Sequence, residues 1–262
     1  MFRYIRASFM IAMLICTTMS AYAQSQVDDV NVLSLNAIGA ISADDDSAVG
    51  IGGVAAYDSE VHDVNIVSTN AVGAALASDG SAIGIGGVGA TESTVNRVNI
   101  LSANAVGVAA ADDNSAIAVG GVAASDSNVN GVNIVSANTV GGAFAQDDSV
   151  VAIGGVGATD SSVNGVNVFS INAVGAASAS NDSVVSVGGI SANNASVAGV
   201  NVFSANAVGA VSASNGSTVM IGGVGANGNS VSGVNVSSVN SVGGVSASGG
   251  TTIAIGTVGL GF

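Results

Sequence analysis

The sequence repeats every 34 residues, without a single insertion or deletion. The dipeptide Val-Asn marks the repeat: it lies at Val30-Asn31 and recurs at 64–65, 98–99, 132–133, 166–167, 200–201 and 234–235. An enzyme needs loops of different lengths to build a site, whereas a fixed period is typical of chains that stack one unit on the next. The period therefore predicts an array of seven equivalent coils.

The segment 1–23 differs from the repeats. Arg3 and Arg6 precede a short apolar stretch that ends at Cys16, and Ala21-Tyr22-Ala23 has the small-x-small pattern of a cleavage site. This order is typical of a secretory signal peptide, and the apolar stretch is too short for a convincing membrane span. We expect a signal peptide over 1–23, a repeat domain over 24–262, and a protein that is secreted or held at the cell surface.

Removal of that segment would leave one basic residue, Arg97, against 17 acidic residues, a net charge of −16, and no cysteine. Nucleic acid is excluded as a partner because phosphate binding needs clustered Lys and Arg. The chain has no Pro and no Trp and is rich in Val, Ala, Gly, Ser and Asn. These residues disfavour helix, and the many apolar residues disfavour disorder, so we expect an all-β chain.

One repeat divides into three pieces, 183–194, 195–206 and 207–216, and each piece ends in Asn or Gly. Each contains a run of Val, Ala and Ser near the usual strand length. This pattern predicts a β-solenoid of seven 34-residue coils, with about three short strands per coil that pair in parallel with the next coil. Gly188-Gly189 predicts a bend. A triangular cross-section and a flattened two-layer arch both fit the pattern.

Two polar residues recur in every coil and are predicted to form structural columns. Side-chain amides stacked at strand spacing can hydrogen-bond along such a column. Because the same residue recurs in seven coils, we interpret both columns as structural and not catalytic. The Asn column comprises Asn36, Asn70, Asn104, Asn138, Asn172, Asn206 and Asn240, and the Ser column comprises Ser34, Ser68, Ser102, Ser136, Ser170, Ser204 and Ser238.

All acidic residues lie between Asp28 and Asp182, and no charged side chain follows Asp182. The acids act either as gatekeepers that delay pairing of the first coils or as a solvated face that keeps the precursor soluble. Calcium is a possible ligand of the acidic corners, because it favours clustered carboxylates. The corner acids are Asp44, Asp45, Asp46, Asp112, Asp113, Asp147 and Asp148.

No catalytic or cofactor-binding constellation is apparent. His62 is the single histidine, so neither a Ser-His-Asp triad nor a metal trio can be built around it. The glycines between Gly84 and Gly89 do not precede a helix and do not predict a phosphate-binding loop. We therefore expect no enzyme activity, no cofactor and no small-molecule substrate.

Cleavage after Ala23 would leave the segment 24–262, which is seven whole repeats and one further residue. The chain would then begin and end at the same phase of the repeat, without an atypical capping coil. Such ends permit head-to-tail stacking, which does not close and so makes a filament. The expected partner is thus a second copy of the chain, together with secretion or nucleation machinery.

The tandem β-repeats, the Asn and Ser columns, and copies of Ser-x-Asn-Ala such as 204–207 resemble secreted functional amyloids of the curli and Fap type. Curli-like repeats also carry Gln columns, whereas this chain has Gln only at Gln24, Gln26 and Gln146. The resemblance implies export through the outer membrane and assembly on the cell surface.

Together these features predict a structural protein that forms an extracellular, functional-amyloid-like fibre of biofilm matrix or cell surface. One alternative is a monomeric β-solenoid adhesin or ice-binding module, which would present a flat, regular face of Thr or aromatic residues. A second alternative is an outer-membrane β-barrel, suggested by the C-terminal aromatic residue Phe262. A barrel needs aromatic girdles and long hairpin strands, which the repeat lacks.

Overall fold

A computed structural model describes residues 5–6, 20–21, 26–29, 31–45, 47–194, 196–222, 224–227, 231–256 and 258–261. Most of the predicted signal peptide, including Cys16, lies outside the described residues, as do Asp46 and Phe262. Over the described part the chain is all-β, with 28 strands in three sheets and no helix. The predicted β-solenoid fold is confirmed.

The first sheet, called the long sheet, contains one long strand from each of the seven coils. These strands are β4 (Asn31–Ala43), β7 (Glu60–Ala77), β10 (Thr94–Ala111), β14 (Asn133–Ala145), β18 (Asn167–Ser180), β22 (Asn201–Ser214) and β26 (Asn235–Ser248). Six short strands extend the same sheet: β1 (Ile5–Arg6), β3 (Gln26–Asp28), β13 (Asn128–Asn130), β17 (Ser162–Asn164), β21 (Ser196–Ala198) and β25 (Val231–Ser232).

Two further sheets consist of short strands only. The second sheet comprises β5 (Ala48–Gly50), β8 (Ala82–Gly84), β11 (Ala116–Val119), β15 (Val150–Ile153), β19 (Val184–Val187), β23 (Thr218–Ile221) and β27 (Thr252–Ile255). The third sheet comprises β2 (Ser20–Ala21), β6 (Ala55–Tyr57), β9 (Gly89–Thr91), β12 (Val122–Ser125), β16 (Val156–Thr159), β20 (Ile190–Asn193), β24 (Val224–Asn227) and β28 (Val258–Gly261).

The strands of successive coils pair in parallel, with a register of one full repeat. Asn99 of β10 lies beside Asn65 of β7 on one side and beside Asn133 of β14 on the other. The second and third sheets keep the same register, as in the pairs Ala116–Val150 and Ala124–Ala158. Each residue is therefore stacked on its equivalent in the next coil.

The predicted strand boundaries within a coil were wrong. The division at Asn206 falls inside β22, which runs unbroken from Asn201 to Ser214. The piece 183–194 forms two strands, β19 and β20, separated by a bend at Gly188-Gly189 as the sequence predicted. Asn206 does not end a strand because its side-chain amide is satisfied by the neighbouring coils, where it donates to Asn240 and accepts from Asn172.

The hydrophobic core consists of two clusters that run along the solenoid axis. One cluster joins the third sheet to the first half of the long strands, with Val156 and Val168 as members. The other joins the second sheet to the second half, with Val151 and Val174 as members. Small side chains such as Ala118 fill a separate cluster between the second and third sheets. The coil thus has no single central core.

Candidate functional site: side-chain ladders and the outer face

The predicted Asn column lies inside the solenoid and forms a continuous ladder, called the buried Asn ladder. The Nδ2 of Asn104 donates to Oδ1 of Asn138 at 2.8 Å, and Asn138 donates to Asn172 at 2.8 Å. The same bond links every consecutive pair from Asn36 to Asn240. All of these amides point their N–H groups toward the C-terminal coils, so the ladder has a direction.

In the first three coils, serines of the predicted Ser column tie this ladder to the bend after the second-sheet strand. Ser68 Oγ accepts a hydrogen bond from Asn70 Nδ2 at 3.0 Å and donates to the carbonyl of Gly86 at 3.1 Å. A Cβ on Gly86 would lie 2.6 Å from Ser102 Oγ, so only glycine fits beside the ladder. The glycine pair and the Ser-Asn pair therefore form one structural unit, called the glycine kink.

Two further Ser ladders were missed by the sequence analysis. The backbone N–H of Ser81 donates to Ser115 Oγ at 3.2 Å, and the same bond recurs from Ser47 to Ser217. A second set links Ser59 to Ser161. These serines satisfy buried backbone donors at the corners, which would otherwise be costly. The sequence signal that could have revealed these two ladders is the recurrence of each serine once per coil.

A second Asn ladder, also missed, lies on the outer surface of the long sheet and is called the exposed Asn ladder. Asn99 Nδ2 donates to Asn65 Oδ1 at 2.9 Å, and Asn133 donates to Asn99 at 2.9 Å. The ladder continues from Asn31 to Asn235. Its N–H groups point toward the N-terminal coils, opposite to those of the buried ladder. It contains the Asn of the Val-Asn dipeptide that defines the repeat.

Beside the exposed Asn ladder the long sheet presents an apolar surface to solvent. Large side chains at one position of the first six coils form the outer ridge: Leu33, Val67, Leu101, Val135, Phe169 and Phe203. The rings of Phe169 and Phe203 are stacked with centroids 5.1 Å apart. Next to the ridge lies the outer groove, of about 1110 Å³, between the column from Leu35 to Val239 and the column from Ala37 to Ser241.

The acidic corners are strained and partly repulsive. Asp45, Asp79, Asp113 and Asp147 all have positive φ, between 47° and 53°. Asp and Asn tolerate this left-handed conformation better than most residues. A hydrogen bond with Asp44 is the main cause that raises the pKa of Asp79, whereas a hydrogen bond from Ser78 lowers the pKa of Asp44.

Burial raises the pKa of Asp112, and repulsion from Asp113 adds to the effect. Hydrogen bonds from Gln146 and Asn181 lower the pKa of Asp147. Carboxylate oxygens of Asp112, Asp113 and Asp147 lie within 4.8 Å of one another, as do those of Asp44, Asp45 and Asp79. These two groups are the described residues that could hold a divalent cation, and calcium binding stays a prediction. Asp148 belongs to neither group.

His62 lies near the start of β7, and Arg97 lies near the start of β10. His62 Nδ1 lies 3.3 Å from Asn96 Nδ2, and His62 Nε2 lies 3.5 Å from Glu60. Arg97 forms an exposed ion pair of 2.6 Å with Asp63. The described polar partners of His62 are therefore the amide of Asn96 and the carboxylate of Glu60. Neither is a Ser or Cys that the imidazole could activate as a nucleophile.

Comparisons with known proteins gave no match: no family model fits the sequence, and neither a curated protein nor a solved structure is significantly similar to it. Over the described ranges, no helix is long and apolar enough to cross a membrane.

Proposed function

We propose that the chain is a secreted structural subunit that assembles head-to-tail into an extracellular fibre of biofilm matrix or cell surface. The observation that supports this most is that the two ends of each ladder carry complementary hydrogen-bonding groups, a donor at one end and an acceptor at the other. Within the described residues, the buried Asn ladder begins with the acceptor Oδ1 of Asn36 and ends with the donor Nδ2 of Asn240. A second copy that continued the register would join the two groups.

The exposed Asn ladder supports the same junction in the opposite direction. Among the described residues, Asn31 accepts from Asn65 and retains its own amide donor, while Asn235 donates to Asn201 and retains its acceptor. In a head-to-tail junction Asn31 of one copy would therefore donate to Asn235 of the next. Two ladders with opposite directions specify which end meets which, because end-to-end contact of like ends leaves both ladders mismatched.

The edge strands also match in pattern. Of the seven long strands that stack in the register of one repeat, β4 is the first and β26 the last. Continuing the register would place Val236 on Val32 and Val242 on Ile38, like the pairs inside the solenoid. An open strand edge is a template for pairing with another chain. At the usual strand spacing each molecule would add about 34 Å to the fibre.

The predicted signal peptide connects this assembly to export. Ser20–Ala21 pairs with Ala55–Ala56 of β6, and Ile5–Arg6 pairs with Val27–Asp28 of β3. Cleavage after Ala23 would remove both short strands and free the edges on which another copy docks. Processing during secretion would then precede growth of the fibre, which also makes secretion or nucleation machinery an expected partner.

A monomeric adhesin or surface-binding module is the second candidate. The observation that favours it is the regular exposed face formed by the exposed Asn ladder and the outer ridge, with the stacked pair Phe169 and Phe203. Thr, which an ice-binding face would favour, occurs on this face at Thr69 and Thr139 of the groove. In this candidate the face works on a monomer and the ends stay unpaired.

The experiment that separates the candidates places a charge at the growing end. Mature protein is diluted from denaturant, and fibres are followed by thioflavin T fluorescence and negative-stain electron microscopy. Asn240→Lys puts an unpaired ammonium group on the inward face of β26, where a docked copy would bury it at a cost of several kcal/mol. We expect elongation to slow at least tenfold, with unchanged circular dichroism.

The matched control is Ser246→Lys, which adds the same charge to an exposed position on the same strand. Normal fibres from the control and slow or absent fibres from Asn240→Lys support head-to-tail growth. If wild-type protein stays monomeric at high concentration and at low pH, or if both variants elongate like wild type, the proposal is wrong.

A further inference from the structure

We infer that the outer face of the long sheet is an interface for a second copy of the same chain, so that two solenoids pair side by side. This surface is distinct from the ends used in head-to-tail growth. The face consists of the exposed Asn ladder, the outer ridge and the outer groove. Three observations support a second copy as the occupant: the charge distribution, the shape of the face and its area.

From the exposed Asn ladder onward, the long strands carry no charged side chain, although the chain is strongly acidic. No Asp, Glu, Lys, Arg or His occurs in 31–43, 65–77, 99–111, 133–145, 167–180, 201–214 or 235–248, although the chain has a net charge of −14. Two copies of an acidic protein repel each other when their acidic corners meet. The outer face is a surface on which two copies can meet without bringing like charges together, and it offers nothing to attract a charged partner.

The shape of the face is complementary to itself. The outer ridge projects side chains such as Leu101 and Phe203, which are 52% and 53% exposed. The adjacent outer groove has small side chains at Ala103, Ala137 and Ala205, whereas Leu35, Ile171 and Val239 project from the same column in other coils. A two-fold axis parallel to the solenoid axis would place the ridge of each copy in the groove of the other. Dry interdigitation of this kind joins paired sheets in steric zippers.

The area is sufficient for a stable dimer. The ladder, ridge and groove take up about seven residues of each of the seven strands, about 23 Å by about 29 Å, or about 670 Å² per copy, at standard strand dimensions. Two copies would therefore bury about 1,300 Å² in total, within the roughly 1,200–2,000 Å² typical of stable interfaces. Because the two-fold axis is parallel to the solenoid axis, the two solenoids point in the same direction. Side-by-side pairing therefore leaves both ends of each solenoid available for growth.

The test measures association when end-to-end growth is blocked. Mature protein carrying Asn240→Lys is studied by sedimentation equilibrium, alone and with Phe203→Glu. We expect a monomer–dimer equilibrium for the first protein and a dissociation constant at least a hundredfold weaker for the second, because the two-fold axis buries the added carboxylate twice. Circular dichroism checks folding, and Phe203→Ser, which copies Ser237 of the last coil, replaces the Glu variant if that variant misfolds.

The matched control is Asn215→Asp, which adds the same charge to an exposed corner of the neighbouring turn, where earlier coils carry Asp. A dimer that persists in the control and is lost with Phe203→Glu supports the inference. Three results would each overturn the inference. The first is an Asn240→Lys protein that stays monomeric at about 100 micromolar, the range of a weak interface. The others are a dimer that Phe203→Glu leaves intact, and a dimer that the control weakens as much as Phe203→Glu does. None of these outcomes depends on whether fibres form.

Discussion

The side-chain amide of Asn70 donates to Oδ1 of Asn104 at 2.7 Å, although the two residues lie 34 positions apart in the sequence. Asn104 repeats the bond to Asn138, and both amides also donate to the serine two residues earlier in their own strands. Each coil is therefore joined to the next by a buried polar contact in addition to backbone pairing. Buried amides in this position fix the register of the coils, because a shift would leave their donors unpaired.

Replacing an Asn of the buried ladder should destabilise the solenoid far more than replacing an exposed one. Asn138→Ala removes the bonds to Ser136 and Asn172 and orphans the donor of Asn104. At about 1 kcal/mol for each net hydrogen bond, plus the unpaired donor, we expect a loss of about 2–4 kcal/mol. Urea denaturation followed by circular dichroism measures the difference.

The control for this change is Asn133→Ala in the same strand β14, which removes a rung of the exposed Asn ladder. Water can replace its partners, so the expected loss is below about 1 kcal/mol. Equal losses from the two substitutions would show that the buried ladder contributes no more than surface hydrogen bonds.

The glycine kink should not accept a side chain. A Cβ on Gly155 would collide with the carbonyl oxygen of Gly189 in the next coil. Gly155→Ala must displace backbone in two coils, and we expect a loss of more than about 3 kcal/mol or failure to fold. Gly244→Ala, with nothing within 4 Å of the added Cβ, should be neutral or stabilising by up to about 1 kcal/mol. Thermal unfolding of the two variants compares them, and similar melting temperatures would refute the close packing of the kink.

Mild acid should stabilise the solenoid before strong acid weakens it. Because the pKa of Asp112 is raised by burial and that of Asp79 by its contact with Asp44, the folded state binds their protons more tightly than the unfolded state. Stability therefore rises as pH falls through these raised pKa values toward the ordinary value of 3.8. Below 3.8 the lowered pKa of Asp44 reverses the sign, because protonation then costs stability.

Asp112→Ser tests this origin of the pH dependence, since Ser occupies the same position in other coils, as Ser78 and Ser180. We expect a higher urea midpoint at pH 7 and a smaller change in the midpoint as the pH falls from 7 toward 3.8. Glu92→Gln removes the same charge from an exposed corner and is the control for the loss of charge alone. If Asp112→Ser leaves the dependence of stability on pH unchanged, other groups govern that dependence.

The sequence predicted the parallel stacking and the glycine bend, because these features follow from the period and from the position of Gly188-Gly189. Val166, Val168 and Ser170 lie at alternate positions of one repeat, and in the structure all three are buried. The end of a strand at Asn206 was predicted wrongly, because Asn favours turns in isolation. Asn206 was also predicted to hydrogen-bond along its column, and in the structure these bonds between coils outweigh its preference for a turn.

The outer face was missed for a different reason. Alternation places Leu33 and Leu35 opposite Val32 and Ser34, but apolar residues are expected in a core. In the structure the second and third sheets cover one face of the long strands, and Leu33 and Leu35 are 62% and 66% exposed. The sequence shows that two faces exist, whereas the path of the short strands decides which face is covered.

The axial rise of the fibre, measured by electron cryomicroscopy with helical reconstruction, tests head-to-tail stacking of intact solenoids most directly. Seven coils at the usual strand spacing predict a rise of about 34 Å per chain, with density for all seven long strands in each subunit. A rise of about 4.8 Å per chain would mean that each molecule contributes one flat cross-β layer, and this result would contradict the account.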